Sequence, residues 1–423
     1  MNKKRRIIIL FKRGLIIMRK NINKLATLVM TGALAASMSF GAFANTTGND
    51  SGNVAGATQE SVVGTGKTMT VHKKITTDGK TYAPNASFGF TVTPANVTEA
   101  ETKEFAAKDS TGAAVTKTYD IKKGVTDSVE EVTKATFTPG TVASEYDVTF
   151  TVKFNESKFA TAGVYKYTLS EEQGVYYVGD TKKEAVYPGM TYDAASYTMY
   201  VFVVNDGTTA RKVSNIVIMN SDGAKVNALN NKFGDGTNTD EVYDLTISKV
   251  IDGNMGVTGD TFTFDVMVDS DVDGEKFKIV EVDANGTEKA ITEKVNGEDV
   301  EVVLTDDASK SLTVTNGTKY RIYGLTKNDV VSVKEQEAGK NGYVTTYTTS
   351  AADQTSNAGK LADGTKAASV KVSADGATLT ITNTRDAVTP TGVAMDIAPY
   401  ALMVALAGGA AATFLRKKES FED

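Results

Sequence analysis

Two lysines, two glutamates and a short run of asparagines stand where strand alternation places them among apolar side chains. In Met69-Val71-Lys73-Ile75 every second residue shares a face, and three of the four are apolar. Lys73 therefore falls on the core face, while His72 and Lys74 are expected to point to solvent, His72 without a role. Leu245-Ile247-Lys249-Ile251 repeats the pattern around Lys249. Glutamates share it at Tyr165-Tyr167-Leu169-Glu171 and Val331-Val333-Glu335, and asparagines at Leu229-Asn231-Phe233 and Leu379-Ile381-Asn383. Twice, the order along the chain is Lys, Glu, Asn.

Burying an ammonium or carboxylate alone is costly, so such groups shift their pKa toward the neutral form. A desolvated, neutral lysine is a nucleophile. A glutamate kept protonated can donate to an asparagine side-chain carbonyl and then shuttle the proton. Attack on that amide expels ammonia and leaves a Lys–Asn isopeptide bond. Two plainer arrangements use the same residues: a buried Lys–Glu pair with no covalent bond, or lysines at strand ends that reach solvent. In N-A-L-N-N, Asn227, Asn230 and Asn231 compete as the first partner; alternation with Phe233 favours Asn231. Glu337 is the alternative to Glu335 as shuttle.

The elements that would hold these groups are strands. Short alternating runs, rich in aromatic and β-branched residues, recur from Met69 onward, separated by Gly, Asn and Asp clusters. No convincing amphipathic helix of ordinary length is present. Residues 45–67 are Gly, Ser, Thr and Asn rich and are expected to be a flexible leader. The polar stretch G-D-G-T-N-T-D from Gly234 to Asp240 marks a boundary, after which L-T-I-S-K repeats M-T-V-H-K and F-T-F repeats F-G-F. The expectation is an all-β chain with two tandem immunoglobulin-like sandwiches, over 68–235 and 241–386.

Composition narrows the function. The 423 residues carry a formal charge of −6, and basic residues concentrate at the two ends, so the middle is more acidic still. That balance disfavours nucleic acid and suits a soluble surface protein. There is no cysteine and a single histidine. Disulfides are thereby excluded, as are Cys-His catalysis, most Ser-His arrangements and His-rich metal sites. Asp269-Ser270-Asp271-Val272-Asp273-Gly274 opens like a calcium-binding loop, but Val280 occupies the position that requires a bidentate Glu. A hairpin turn after the Phe262–Val268 run is expected instead. Neither a metal nor a cofactor is expected.

Both ends read as processing signals. Residues 1–24 are basic without an acid, 25–43 are mostly small or apolar, and Gly41-Ala42-Phe43-Ala44 offers a signal-peptide cleavage site after Ala44. Met18 begins a conventional signal peptide of its own and is an alternative start. At the other end V-T-P-T-G (Val388 to Gly392) precedes an apolar run over 397–415 and the cluster Arg416-Lys417-Lys418. Such a run can span a bilayer, with the basic cluster held inside. This order, over 388–423, resembles the cell-wall sorting signal of Gram-positive surface proteins. The resemblance implies sortase cleavage between Thr391 and Gly392.

Taken with the repeated strand motifs, the chain resembles the two-domain major pilins, the backbone subunits of Gram-positive sortase-assembled pili. The motifs that carry the likeness are M-T-V-H-K and L-T-I-S-K, Y-T-L-S-E and V-S-V-K-E, and N-A-L-N-N and L-T-I-T-N. The first N-A-L-N-N departs from the family pattern, with Leu229 where Phe is usual. The resemblance implies a non-enzymatic shaft subunit, outside the cell and joined to peptidoglycan, that supports adhesion. Its partners would be a pilin-polymerising sortase, further copies of itself, and tip and base pilins. It also implies a linking lysine in D-G-A-K-V, Lys225, expected to be exposed and charged; Lys212 is the next choice. A wall-anchored adhesin that never polymerises is the rival reading, with a surface enzyme further behind.

Overall fold

The computed structural model describes residues 63–108, 113–234, 242–351, 357–373 and 376–387. The expected signal peptide, the sorting signal with Thr391 and Gly392, and the apolar run over 397–415 lie outside the described residues. Within them the chain is all-β, apart from a single 3-10 turn at Glu156–Lys158.

Two hydrophobic cores form in sequence order. The first is centred on Val71, Phe88, Phe150, Tyr167, Val201 and Leu229. It lies between two sheets. One has the order Met190–Thr191, Ala228–Phe233, Thr68–Thr77, Glu145–Phe154, Val129–Val132. The other is built on Gly163–Glu171, flanked by Ser196–Asp206, Ala210–Met219, Phe90–Pro94 and the hairpin Thr102–Lys108/Ala114–Lys123. The second core is centred on Ile247, Phe264, Ile279, Ile322, Val333 and Leu379. Here Tyr243–Asp252 lies between Lys319–Leu325 and Ala377–Thr384, and the facing sheet runs Lys310–Val314, Phe262–Asp269, Val330–Glu335, Ala367–Lys371.

Strand alternation explains most of this burial. Along Tyr243–Asp252 every second side chain, from Tyr243 to Ile251, is buried. In both halves the first long strand pairs in parallel with the last: Thr68–Thr77 with Ala228–Phe233, and Tyr243–Asp252 with Ala377–Thr384.

Three local expectations are corrected. Val63–Thr65, assigned to the leader, is a strand paired antiparallel with residues 215–217, so the fold begins before Thr68. Lys74 does not face solvent: it is 7% exposed and its ammonium meets Glu145 at 2.7 Å and Asp147 at 3.7 Å. His72 keeps about a third of its side chain exposed and bonds Asp147 at 2.8 Å. Strand burial accommodates charge here because carboxylates of the neighbouring strand Glu145–Phe154 lie directly across.

The third correction concerns the calcium-like loop. It is not a hairpin, because Phe262–Asp269 and Lys276–Val282 belong to different sheets. Instead it crosses between sheets and wedges against the first core. Val272 packs into that core. Asn85 donates its Nδ2 to the Asp273 carbonyl at 2.9 Å and its backbone N–H to Glu275 at 3.4 Å. Gly274 has φ +77°, which favours glycine, and a Cβ there would displace the Asn85 amide, whose Nδ2 lies 2.8 Å away. Lys276 reaches the Pro139 carbonyl, and Lys80 bonds Tyr323, adding two further ties between the halves.

Glu275 is buried in this junction. Loss of hydration, with repulsion from Asp329 and Asp306, pushes its carboxyl up to about 8. The folded chain thus holds a proton that the unfolded chain, titrating near 4.5, has released. Its stabilising contribution is complete below the unfolded value and is lost as pH rises through about 8, at up to about 1.4 kcal/mol per pH unit. Glu275→Gln should match the parent near pH 4.5 and melt at a higher temperature above pH 8. Parallel melting profiles across that range would contradict this account.

Candidate functional site

In each half the parallel strand pair sets the geometry. Leu229 is opposite Lys73, and Asn231 is opposite Ile75, two residues further along. In the second half Ile381 is opposite Lys249, and Asn383 is opposite Ile251. The offset is the same: the asparagine lies one same-face step diagonal to its lysine. The glutamate arrives from the facing sheet, at the end of Gly163–Glu171 and of Val330–Glu335. Each is paired with the second aromatic of the F-x-F repeat, Glu171 with Phe90 and Glu335 with Phe264.

All six side chains are buried: Lys73, Lys249, Glu335, Asn231 and Asn383 at 0% exposure and Glu171 at 3%. Lys73 Nζ donates to Glu171 Oε2 at 2.8 Å and to Asn231 Oδ1 at 2.5 Å, while Asn231 Nδ2 donates to Glu171 Oε1 at 2.9 Å. Lys249 Nζ donates to Glu335 Oε2 at 2.6 Å, and Asn383 Nδ2 donates to Glu335 Oε1 at 2.6 Å. The glutamate therefore bridges amine and amide, one oxygen on each. This alters the expected hydrogen bond, in which the glutamate donated to the asparagine carbonyl. An amide N–H can only donate, so it takes the carboxylate and turns its own oxygen away.

Desolvation dominates the electrostatics. It lowers the pKa of Lys73 and of Lys249, against the opposing pull of the paired glutamates. It raises Glu171, against the attraction of Lys73. In the first triad both shifts favour a neutral amine beside a neutral acid. Phenyl rings enclose the amines: Lys249 Nζ lies 4.4 Å from the Phe262 ring centroid and 5.8 Å from that of Phe264, and Lys73 Nζ lies 6.0 Å from that of Phe90.

Of the alternatives, Asn230 is exposed and Asn227 half-buried, outside the triad. Glu337 accepts the backbone N–H of Thr263 at 2.8 Å and is likewise elsewhere. Lys225 follows a turn stapled by Asn220, as expected, but it is half-buried, and burial lowers its pKa. The expectation of an exposed amine is corrected accordingly; Lys212 is exposed. Asp269, Asp306 and Asp307 bring carboxylate oxygens within 4.8 Å of one another. Asp306 there already accepts backbone N–H groups of Ser270 and Gly274.

Two features escaped the sequence. The F-x-F repeat marks the aromatic walls of the sites, a role its spacing after each lysine strand could have suggested. Asp193 borders the first triad from an irregular segment, where no periodicity points to it.

Asn231→Ala should preserve the first ammonia in the intact mass, whereas Asn230→Ala and Asn227→Ala should lose it as the parent does. Glu335→Ala should leave separate tryptic peptides bearing Lys249 and Asn383. Loss of two ammonia molecules, rather than one, in Asn231→Ala or in Glu335→Ala would remove those residues from the chemistry.

Comparison with known proteins fits this geometry. Residues 69–233 match the family described as the Spy0128-like isopeptide containing domain, and residues 243–385 match a domain of unknown function, DUF7601. A pilin of Streptococcus pyogenes serotype M1 is 28% identical over 292 residues, covering 68% of this chain and 77% of the relative. The crystal structure of the major pilin from Streptococcus pyogenes superposes with a TM-score of 0.50 at 22% identity, covering 76% of this chain and 99% of that one. A mutant form of that pilin gives 0.51, with the same identity and its whole chain covered. The chain is thus similar to a streptococcal pilin over 68% of its length, and its residues 69–233 match the model of the Spy0128-like isopeptide containing domain.

Proposed function

We propose that this protein is the shaft subunit of a Gram-positive surface pilus, stiffened by two self-formed bonds, Lys73–Asn231 and Lys249–Asn383. The observation that carries the reading is the repeated triad: the same three residue types, the same diagonal register and the same bridging carboxylate in both halves. The proposed two-domain organisation follows the two cores.

The bond forms as follows. The neutral Lys73 amine attacks Cγ of Asn231, and Glu171 Oε2 takes the proton that the amine sheds. Glu171 Oε1 delivers a proton to the departing Nδ2. The Nζ–Cγ bond replaces the Cγ–Nδ2 bond, and one ammonia leaves. Glu335 serves Lys249 and Asn383 in the same manner. The buried site needs no partner enzyme, because burial itself supplies the neutral amine.

Assembly uses the chain ends. A signal peptide ending at Ala44 exports the protein, and the span over 397–415 holds it at the membrane. Sortase cleaves between Thr391 and Gly392, keeps the threonyl carbonyl as a thioester, and passes it to Lys225 of the next subunit. The depressed pKa of Lys225 increases the fraction of neutral, nucleophilic amine. One carbonyl and one amine per subunit give a head-to-tail fibre that does not close. The last subunit passes to peptidoglycan, and tip and base pilins complete the fibre, which supports adhesion.

Co-expression with a pilin-polymerising sortase should give a ladder of high-mass bands on denaturing gels. Lys225→Arg should abolish the ladder while both ammonia losses persist. An undiminished ladder would move the acceptor elsewhere, with Lys212 first in line, and no ladder from the parent chain would overturn the shaft reading.

A further inference from the structure

We propose that the backbone N–H of Asp193 is the oxyanion donor for bond formation in the first half, and that the second half closes without an equivalent. This inference rests on the isopeptide reading above.

The Asp193 amide nitrogen lies 2.8 Å from Asn231 Oδ1 and 3.2 Å from Glu171 Oε2. It thus aims at the atom that gains charge when the amide is attacked. The segment carrying it, between Met190–Thr191 and Ser196–Asp206, is held by its own side chain. Asp193 Oδ1 accepts the Ala195 N–H at 2.9 Å, and Oδ2 accepts the Tyr197 hydroxyl at 2.6 Å. Oδ2 also accepts the backbone N–H of Asn230 at 3.0 Å, and Gln173 Nε2 donates to the Asp193 carbonyl at 2.8 Å. Asn230 is the chain neighbour of Asn231, so the latch fixes the donor to the strand that carries the reacting amide. Burial pushes the Tyr197 phenol up, with the Asp193 carboxylate adding to the shift, so it remains a donor.

The second triad differs at this one atom. Asn383 Oδ1 is buried and has no hydrogen-bond partner among the described residues. Lys249 also leaves that oxygen untouched, whereas Lys73 donates to Asn231 Oδ1 at 2.5 Å; the bridging glutamate and the strand register are matched.

As Lys73 Nζ bonds to Cγ, the carbonyl electron pair moves onto Oδ1, and the fixed N–H meets the developing charge without reorganising. When the pair returns, the Cγ–Nδ2 bond breaks and ammonia leaves with the proton from Glu171. Lys73 cannot fill the donor role, because its own nitrogen is consumed in the new bond. Removing one such donor from an acyl-transfer site typically costs about a hundredfold or more in rate.

The test is cell-free synthesis of the full 423-residue chain into mild detergent, quenched at intervals and digested with trypsin. The Lys73–Asn231 and Lys249–Asn383 peptides are then counted over time. Asp193→Pro, which deletes the N–H, should slow the first bond about a hundredfold and leave the second at the parent rate. Asp193→Ala, which keeps the N–H but loses the latch, should slow it about tenfold. Melting of Asp193→Ala in a Lys73→Ala background, where no first bond forms, should stay close to that background and so separate catalysis from folding. Should Asp193→Pro misfold, replacing the residue-193 amide by an ester removes the same N–H with the side chain intact. Parent-like closure in the ester or in folded Asp193→Pro would overturn the oxyanion assignment alone. A parent chain that never yields the Lys73–Asn231 peptide would overturn the isopeptide reading beneath it.

Discussion

The structure depends on what happens to a lysine amine sealed between two sheets. A buried ion pair is poor value in stability, because the desolvation of two charges rivals their attraction. Two such pairs in one chain, each at or near 0% exposure, would be an odd way to stabilise a sandwich. Their burial makes sense when the charges are not kept. Desolvation lowers Lys73 and Lys249 and raises Glu171, and a neutral amine then touches an acid that also holds the amide nitrogen. The same desolvation that would penalise an ion pair would prepare the proposed condensation.

The parallel pairing of first and last strands would give the proposed bond its mechanical meaning. Tension enters a pilus subunit near its first strand and leaves near its last, and the diagonal from Lys73 to Asn231, or from Lys249 to Asn383, joins those strands directly. A covalent link there bypasses the ladder hydrogen bonds. It also closes loops of more than a hundred residues, which in the chain-entropy picture removes about 5 kcal/mol of unfolded-state freedom for each. In a chain without cysteine, the proposed bonds would take the place that disulfides hold in exported proteins.

Much of this is legible in the sequence, because period-two burial is a local property. Lys73, Glu171 and Asn231 occupy the faces that alternation assigned to them, as do their second-half counterparts. What alternation cannot convey is non-local. Lys74 is buried although its parity points outward, because Glu145 and Asp147 arrive from a strand some seventy residues away. The hairpin Thr102–Lys108/Ala114–Lys123 covers the outer face of its sheet, which is why Tyr200 and Phe202 are buried on the side opposite Met199 and Val201. The calcium-like loop was recognised as short of ligands, but its role as a wedge needed Asn85 and Val272 to be placed together. Asp193 acts through its backbone, which no residue-type signal encodes.

The central claim is that two buried amines condense spontaneously with two buried amides. Intact mass spectrometry of the purified, exported chain, produced without any sortase, tests it most directly. The account predicts a mass below that of the sequence by two molecules of ammonia, with Lys73 joined to Asn231 and Lys249 to Asn383 in the tryptic digest. The full sequence mass, with all four residues in separate peptides, would contradict it.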